Sequence, residues 1–153
     1  MSQENLEVVK AFTRRFEGGD RDEWREYFDP NVVFDTSATE MPFAGVYHGH
    51  QGIERFFRDW LGTWKDYEIA HREYIDAGDA VVVVFRQSGT GRGSGVRTER
   101  DFFGVYELRE SKVVRYHLYE SRQEALEAAA AAGVGDVAGE RGACPSTPRC
   151  RGA

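Results

Sequence analysis

Apolar side chains recur near the start of the chain at Leu6, Val9, Phe12 and Phe16, the three-to-four spacing of one helical stripe, and Gly18-Gly19 ends the run. Asp20 with Glu23 forms a capping-box-like start for a second helix carrying Trp24, Tyr27 and Phe28, which Asp29-Pro30 stops. The run VVFDTS, residues 32–37, then reads as a short strand, and the following TSATEMPFAGVYHGHQG as a loop whose proline and glycines oppose regular structure. Ile53, Phe56, Phe57, Trp60, Leu61 and Trp64 carry the clearest helical period in the chain and predict a third helix with an aromatic face.

From Tyr67 onward the period shortens to that of strands: YEIAHREYIDAG, DAVVVVFRQSG, VRTERDFFGVYELRE and KVVRYHLYES. Ala77-Gly78-Asp79 and Glu110-Ser111 read as hairpin turns, with the longer TGRGSG joining the middle pair, so the four strands predict a meander. Ser121 and Glu124 cap a last helix, QEALEAAAAA, that Gly133 ends. Residues 1–132 are therefore expected to form one domain. Residues 133–153 carry too few large apolar groups to offset the entropy of ordering, and are expected to be a disordered tail. Helices followed by an antiparallel meander predict an α+β fold, with the helices packed on one face of a curved, mostly antiparallel sheet. Bent strongly enough, that sheet and its aromatic helices make a cone, the kind of concavity that takes a small apolar ligand.

Composition narrows the function classes. The chain has 153 residues and a formal charge of -6, with 13% aromatic residues. The acidic balance and the lack of a Lys/Arg stripe argue against nucleic acid as a partner. No stretch approaches the roughly 18 apolar residues of a membrane span, and MSQENLEVV does not have the pattern of a leader, so a cytoplasmic protein is expected. Cys144 and Cys150 fall in the tail, where they could neither staple the domain nor complete a tetrahedral metal site. His48 and His50 lack a third ligand nearby; metal chemistry there is the weakest reading, and neither a metal nor another cofactor is expected. The glycines of TGRGSG join two strands and precede no helix, so they are not a phosphate loop.

The ordered set EGGDRDEWREYFDPNVVFD, GVYHGHQGIERFFRDW and GVYELRESKVVRYHLYESRQEALEAA resembles the SnoaL-like, polyketide-cyclase-like branch of the nuclear transport factor 2-like (NTF2-like) superfamily, over roughly residues 3 to 131. The resemblance implies a cone-shaped α+β barrel with an open pocket, commonly paired as a homodimer through the outer sheet face. It also implies a range of functions, from isomerases, cyclases, epoxide hydrolases and dehydratases to non-enzymatic binding modules, so fold alone does not settle function.

By that resemblance Asp35 falls at the position of the carboxylate base of ketosteroid-isomerase-like members. The tyrosine and acid that hold the oxyanion in those enzymes fall on Phe12 and Phe103, which cannot donate hydrogen bonds. Alternation on the last strand places Val114, Tyr116, Leu118 and Glu120 on one face, expected to meet the pocket, with Arg115, His117 and Tyr119 on the outer face. Asp101 shares parity with Phe103 and could reach the rim. The expected catalytic set is Asp35 as general base with Tyr116 and Glu120 as donor or partner acid. Phe12, Phe16, Phe56, Trp60, Phe103 and Leu118 are expected to line the binding site. Two other readings stay open: Asp35 as an Asx-turn residue before Thr36-Ser37, and a pocket that holds a small ligand without reacting.

Overall fold

In the computed structural model, which describes residues 2–140, the first apolar stripe becomes helix α1 (Ser2–Glu17), burying Val9, Phe12 and Phe16. The expected second helix shrinks to one 3-10 turn, Trp24–Tyr27, and strand β1 (Phe28–Asp35) runs straight through Asp29-Pro30. Burial decides this outcome: as a strand, the segment puts Phe28, Val32 and Phe34 into the core together. Pro30 falls where the register shifts between Phe28 and Val33, so its missing N–H is absorbed by an irregularity in the ladder.

The expected loop contains strand β2 (Val46–His48), antiparallel to β1. Helix α2 (Gly49–Thr63) follows directly, and Gly52 lets it lie against β2, since a Cβ there would meet the Tyr47 backbone carbon at 3.1 Å. Ile53, Phe56 and Trp60 are buried, each burial stabilising by about 1.5–3 kcal/mol. Trp64 does not close this helix; it opens the next strand.

The meander forms as strands β3 (Trp64–Asp76), β4 (Ala80–Gly91), β5 (Arg97–Arg109) and β6 (Lys112–Tyr119). The six-stranded order is β2-β1-β6-β5-β4-β3, with β1 parallel to β6 and the other pairs antiparallel. Glu110 and Ser111, at φ 53° and 65°, turn the β5–β6 hairpin.

Alternation sorts the sheet into two faces. The inner face presents Val81, Val83, Phe85 and Gln87 of β4, Phe102, Gly104 and Tyr106 of β5, and Tyr116 and Leu118 of β6, and α1 and α2 cover it. Helix α3 (Arg122–Glu140) departs from the expected arrangement by packing on the opposite face, where Ala125 and Ala129 meet Ala80, Val82 and Val105. The result is an α+β cone with an open, curved sheet. α3 also continues past Gly133, the expected stop; residues 141–153, with Cys144 and Cys150, lie outside the described residues. No helix among the described residues is long and apolar enough to cross a membrane.

Candidate functional site

The inner face and the two covering helices enclose a chamber of about 50 Å³ walled mainly by aromatic rings, among them Phe12, Phe16, Phe34, Phe56, Trp60 and Tyr116. A wider space of about 220 Å³ adjoins it toward the surface and is lined by Pro42, Trp64, Ser88, Thr98, Arg100 and Phe102. Met41, Trp60, Tyr67 and Gln87 line both. Met41 comes from the loop after β1, is only 6% exposed, and stands between the two spaces as an unbranched, adaptable side chain. Phe34 stacks on Tyr116 with centroids 4.7 Å apart, and Tyr106 meets Tyr116 edge-on at the same distance.

Gln87 is the polar residue at the junction. Its Oε1 accepts from the Trp60 indole N–H at 3.2 Å and from the Tyr67 hydroxyl. Indole nitrogen only donates, so the amide oxygen must face Trp60 and the amide NH2 must face away. That NH2 has no protein partner among the described residues, and the hydroxyls of Tyr106 and Tyr116 have none either. Burial pushes the phenol pKa values of Tyr67, Tyr106 and Tyr116 upward, so all three remain protonated donors at neutral pH. An aromatic chamber thus presents several donors and little to accept from them, which suits a ligand oxygen.

His71 lines the same inner chamber with its side chain 5% exposed. Although the sequence shows no partner for it, Glu17 at the end of α1 accepts from both the His71 backbone N–H at 2.9 Å and Nδ1 at 3.0 Å. Burial lowers the His71 pKa, and the Glu17 carboxylate offsets this only in part. The backbone hydrogen bond from His71, with the ring behind it, holds Glu17 below the usual carboxylate range.

The expected site residues separate. Phe12, Phe16, Phe56, Trp60, Tyr116 and Leu118 line the inner chamber. Asp35 does not: Phe34 and Thr36 take the buried side of the strand, and Asp35 points to the outer face, registered against His117. Its Oδ1 accepts from the Ser37 N–H at 2.9 Å and the Ser37 hydroxyl at 2.6 Å. Burial would raise its pKa, but the Ser37 bonds, with His117 and Arg115 nearby, outweigh that and hold it low.

Phe103 likewise faces outward, packed with α3, while Phe102 and Gly104 face in, because one residue along a strand reverses the face. Val114 is the extra residue of an irregularity in the β5–β6 pairing, so Val113 turns inward in its place. Glu120 lines neither space. It ion-pairs with Arg100 and accepts from the Glu40 backbone N–H at 2.7 Å, fastening the β1–β2 loop near the outer opening. Asp101 pairs with Arg86 on the outer face, at 2.9 Å.

His50 bonds the Phe28 carbonyl at 2.8 Å, and His48 is exposed; no group of residues that could hold a metal occurs among the described residues. His117 sits on the outer face with Arg115, Glu107 and Tyr119, as its parity predicts. Gln87 and His71 were missed, although each is a lone polar residue in an inward strand stripe, after Val83-Phe85 and Tyr67-Ile69.

A family model for the SnoaL-like domain matches residues 9–116. No curated protein matches the chain. An NTF2-like protein from Burkholderia thailandensis shares the fold at TM-score 0.71 and 25% identity, over 80% of this chain and 96% of its own. Bal32a, from a soil-derived mobile gene cassette, aligns at TM-score 0.70 and 20% identity, over 83% and 96%. TerC, co-crystallised with polyporic acid, aligns at TM-score 0.67 and 23% identity, over 82% and 98%. With most of the domain covered by the family model and the α+β cone in place, the chain belongs to the SnoaL-like domain family.

Proposed function

We propose that this protein holds a small, largely apolar, ring-bearing organic molecule in the two adjoining spaces, with a carbonyl or hydroxyl oxygen of the ligand on the Gln87 amide. The observation that carries this reading is the Gln87 arrangement: two buried donors orient its oxygen and leave its NH2 as a donor amid aromatic walls. A polar group prepared in this way costs no reorganisation on binding and discriminates against ligands that lack an oxygen. The spaces are smaller than a typical drug site, so the ligand is compact or displaces Met41. Crystallisation of TerC, a protein of similar fold, with polyporic acid supports an oxygenated ring compound as a first probe.

Titration of the tryptophan fluorescence with polyporic acid and with 2-tetralone, an aromatic bicyclic ketone, tests the reading, because Trp60 and Trp64 both line the outer space. Gln87→Met is expected to weaken binding about tenfold, the worth of one good hydrogen bond in an apolar site. An unchanged affinity in that variant overturns the proposal.

The reading is one of binding, and Asp35 adds no chemistry to it, because its carboxylate is engaged by Ser37 on the outer face. If proton chemistry takes place in the chamber, its base has to come from another residue.

A further inference from the structure

We propose that His71 Nε2 is the proton acceptor of the chamber, held by Glu17 in the tautomer that leaves its lone pair free, and that it removes an acidic C–H proton next to a carbonyl of the bound ligand. The inference rests on the binding mode proposed above and adds a reaction to it.

The argument starts from one carboxylate oxygen. Oε1 of Glu17 accepts two bonds from His71, one from the backbone N–H and one from the ring, so the imidazole is tethered at both ends of its Cα–Cβ–ring unit. A carboxylate accepts and does not donate when ionised, and Glu17 is held ionised at neutral pH. The ring proton therefore sits on Nδ1, and Nε2 carries the lone pair. The Nε2 atom has no protein hydrogen bond among the described residues, and the ring faces the aromatic chamber beside Phe85, at 5.5 Å between centroids. A base, a carboxylate that orients it and a dry cavity are the components of general-base catalysis.

Sheet geometry brings this base beside the proposed oxygen donor. Ile69 is registered against Gln87 and His71 against Phe85, so His71 and Gln87 are diagonal neighbours on the inner face, about 7–8 Å apart. The two side chains therefore rise from neighbouring positions of one wall, so that a carbonyl oxygen held by the amide places its adjacent C–H on the side of the imidazole. In the step, Nε2 takes the proton and becomes N–H. The C–H electron pair becomes the new C=C bond, and the carbonyl pair moves to the oxygen, where the Gln87 NH2 stabilises it. Return of the proton from Nε2 to the same carbon gives exchange and to another carbon an isomerisation; before that return the enolate carbon can instead attack a second carbonyl, whose alkoxide oxygen then takes the Nε2 proton. No oxidant or reductant is needed. Glu17 acts as a positioning residue, and its charge also stabilises the imidazolium formed in the step.

The test uses the full chain with 2-tetralone in D2O. Proton NMR follows exchange at the methylene between the aromatic ring and the carbonyl, and tryptophan fluorescence follows binding. Wild type is expected to exceed buffer, and His71→Asn, which keeps an N–H for Glu17 but lacks Nε2, to lower the rate at saturating tetralone about 10²-fold. Binding without acceleration over buffer, or an equal saturated rate in His71→Asn, overturns this inference and leaves the binding proposal standing. Absence of binding by wild type overturns both. The nitrogen-15 spectrum of His71 gives an independent check: a protonated Nδ1 and a bare Nε2 are expected, and the opposite tautomer overturns the inference even if the variant fails to fold. Glu17→Gln, which keeps an accepting oxygen, should retain that tautomer and part of the rate. Glu17→Ala should lose both, and an unchanged tautomer and rate there would remove Glu17 from the scheme.

Discussion

Gly104 of β5 lies beneath the ring of Tyr116, and replacing it with alanine tests how tightly the chamber wall is packed. A Cβ built there meets the Tyr116 hydroxyl oxygen at 2.7 Å, Cε1 at 2.9 Å and Cζ at 3.1 Å. The ring has little freedom to yield, because Phe34 stacks on it at 4.7 Å and Tyr106 meets it edge-on at 4.7 Å. Overpacking of this kind costs about 1–3 kcal/mol, and relief of the glycine penalty in a strand returns about 0.5–1 kcal/mol. With three ring atoms in conflict the upper part of that range, about 2–3 kcal/mol, applies, so the net expectation for Gly104→Ala is a loss of about 1–2.5 kcal/mol, or roughly 2–10 °C in Tm for a domain of this size. Urea titration supplies the free energy and thermal scanning the Tm, with Gly93→Ala as the control, since nothing lies within 4 Å of a Cβ there. Tyr116→Phe removes the atom in closest conflict, so the double variant should be more stable than the sum of the singles by about 0.5 kcal/mol or more. Strict additivity, or a Gly104→Ala protein as stable as wild type, would refute the account of the wall.

Acidification should destabilise the fold in two stages. The folded-state pKa of His71 lies below its ordinary value of about 6.5, so the stability from burying it neutral is complete above that value and is lost as pH falls through the lowered one. Glu17 and Asp35 are also lowered, so their contributions are present above their ordinary values, about 4.3 and 3.9, and disappear as pH falls through the lowered ones. Urea midpoints measured from pH 7 downward should therefore fall first with His71 and then with the carboxylates, and His71→Phe should remove the first stage; a wild-type midpoint flat down to pH 4 contradicts this. Asp35→Ala should cost about 0.5–1.5 kcal/mol by removing the two Ser37 bonds without changing 2-tetralone affinity; a marked loss of affinity would return Asp35 to the binding site.

Much of the architecture was legible in the order of residues. Helical periodicity at Leu6 to Phe16 and Ile53 to Trp60, and alternation in the four meander strands, are local consequences of backbone geometry, and all of these elements appear. The Trp24–Phe28 segment was misjudged because its capping signal is worth about a kilocalorie, whereas pairing with β6 and burial of Phe28 and Trp24 are worth several.

The candidate site was less legible, for a reason specific to sheets. The sequence alone determined that the chain would be an α+β cone rich in aromatic side chains, because periodicity and apolar spacing act within a few residues. Only the tertiary structure decided which side chains face inward, because irregularities such as the one at Val114 shift strand parity and one residue exchanges the two faces. Plain alternation about the buried Phe34 and Phe102 turned Asp35 and Phe103 outward, and Tyr116 went inward. The pairing of Glu17 with His71 joins residues 54 positions apart, and the Gln87 arrangement draws donors from a helix and a neighbouring strand. Such contacts depend on how the elements pack, which no local pattern encodes.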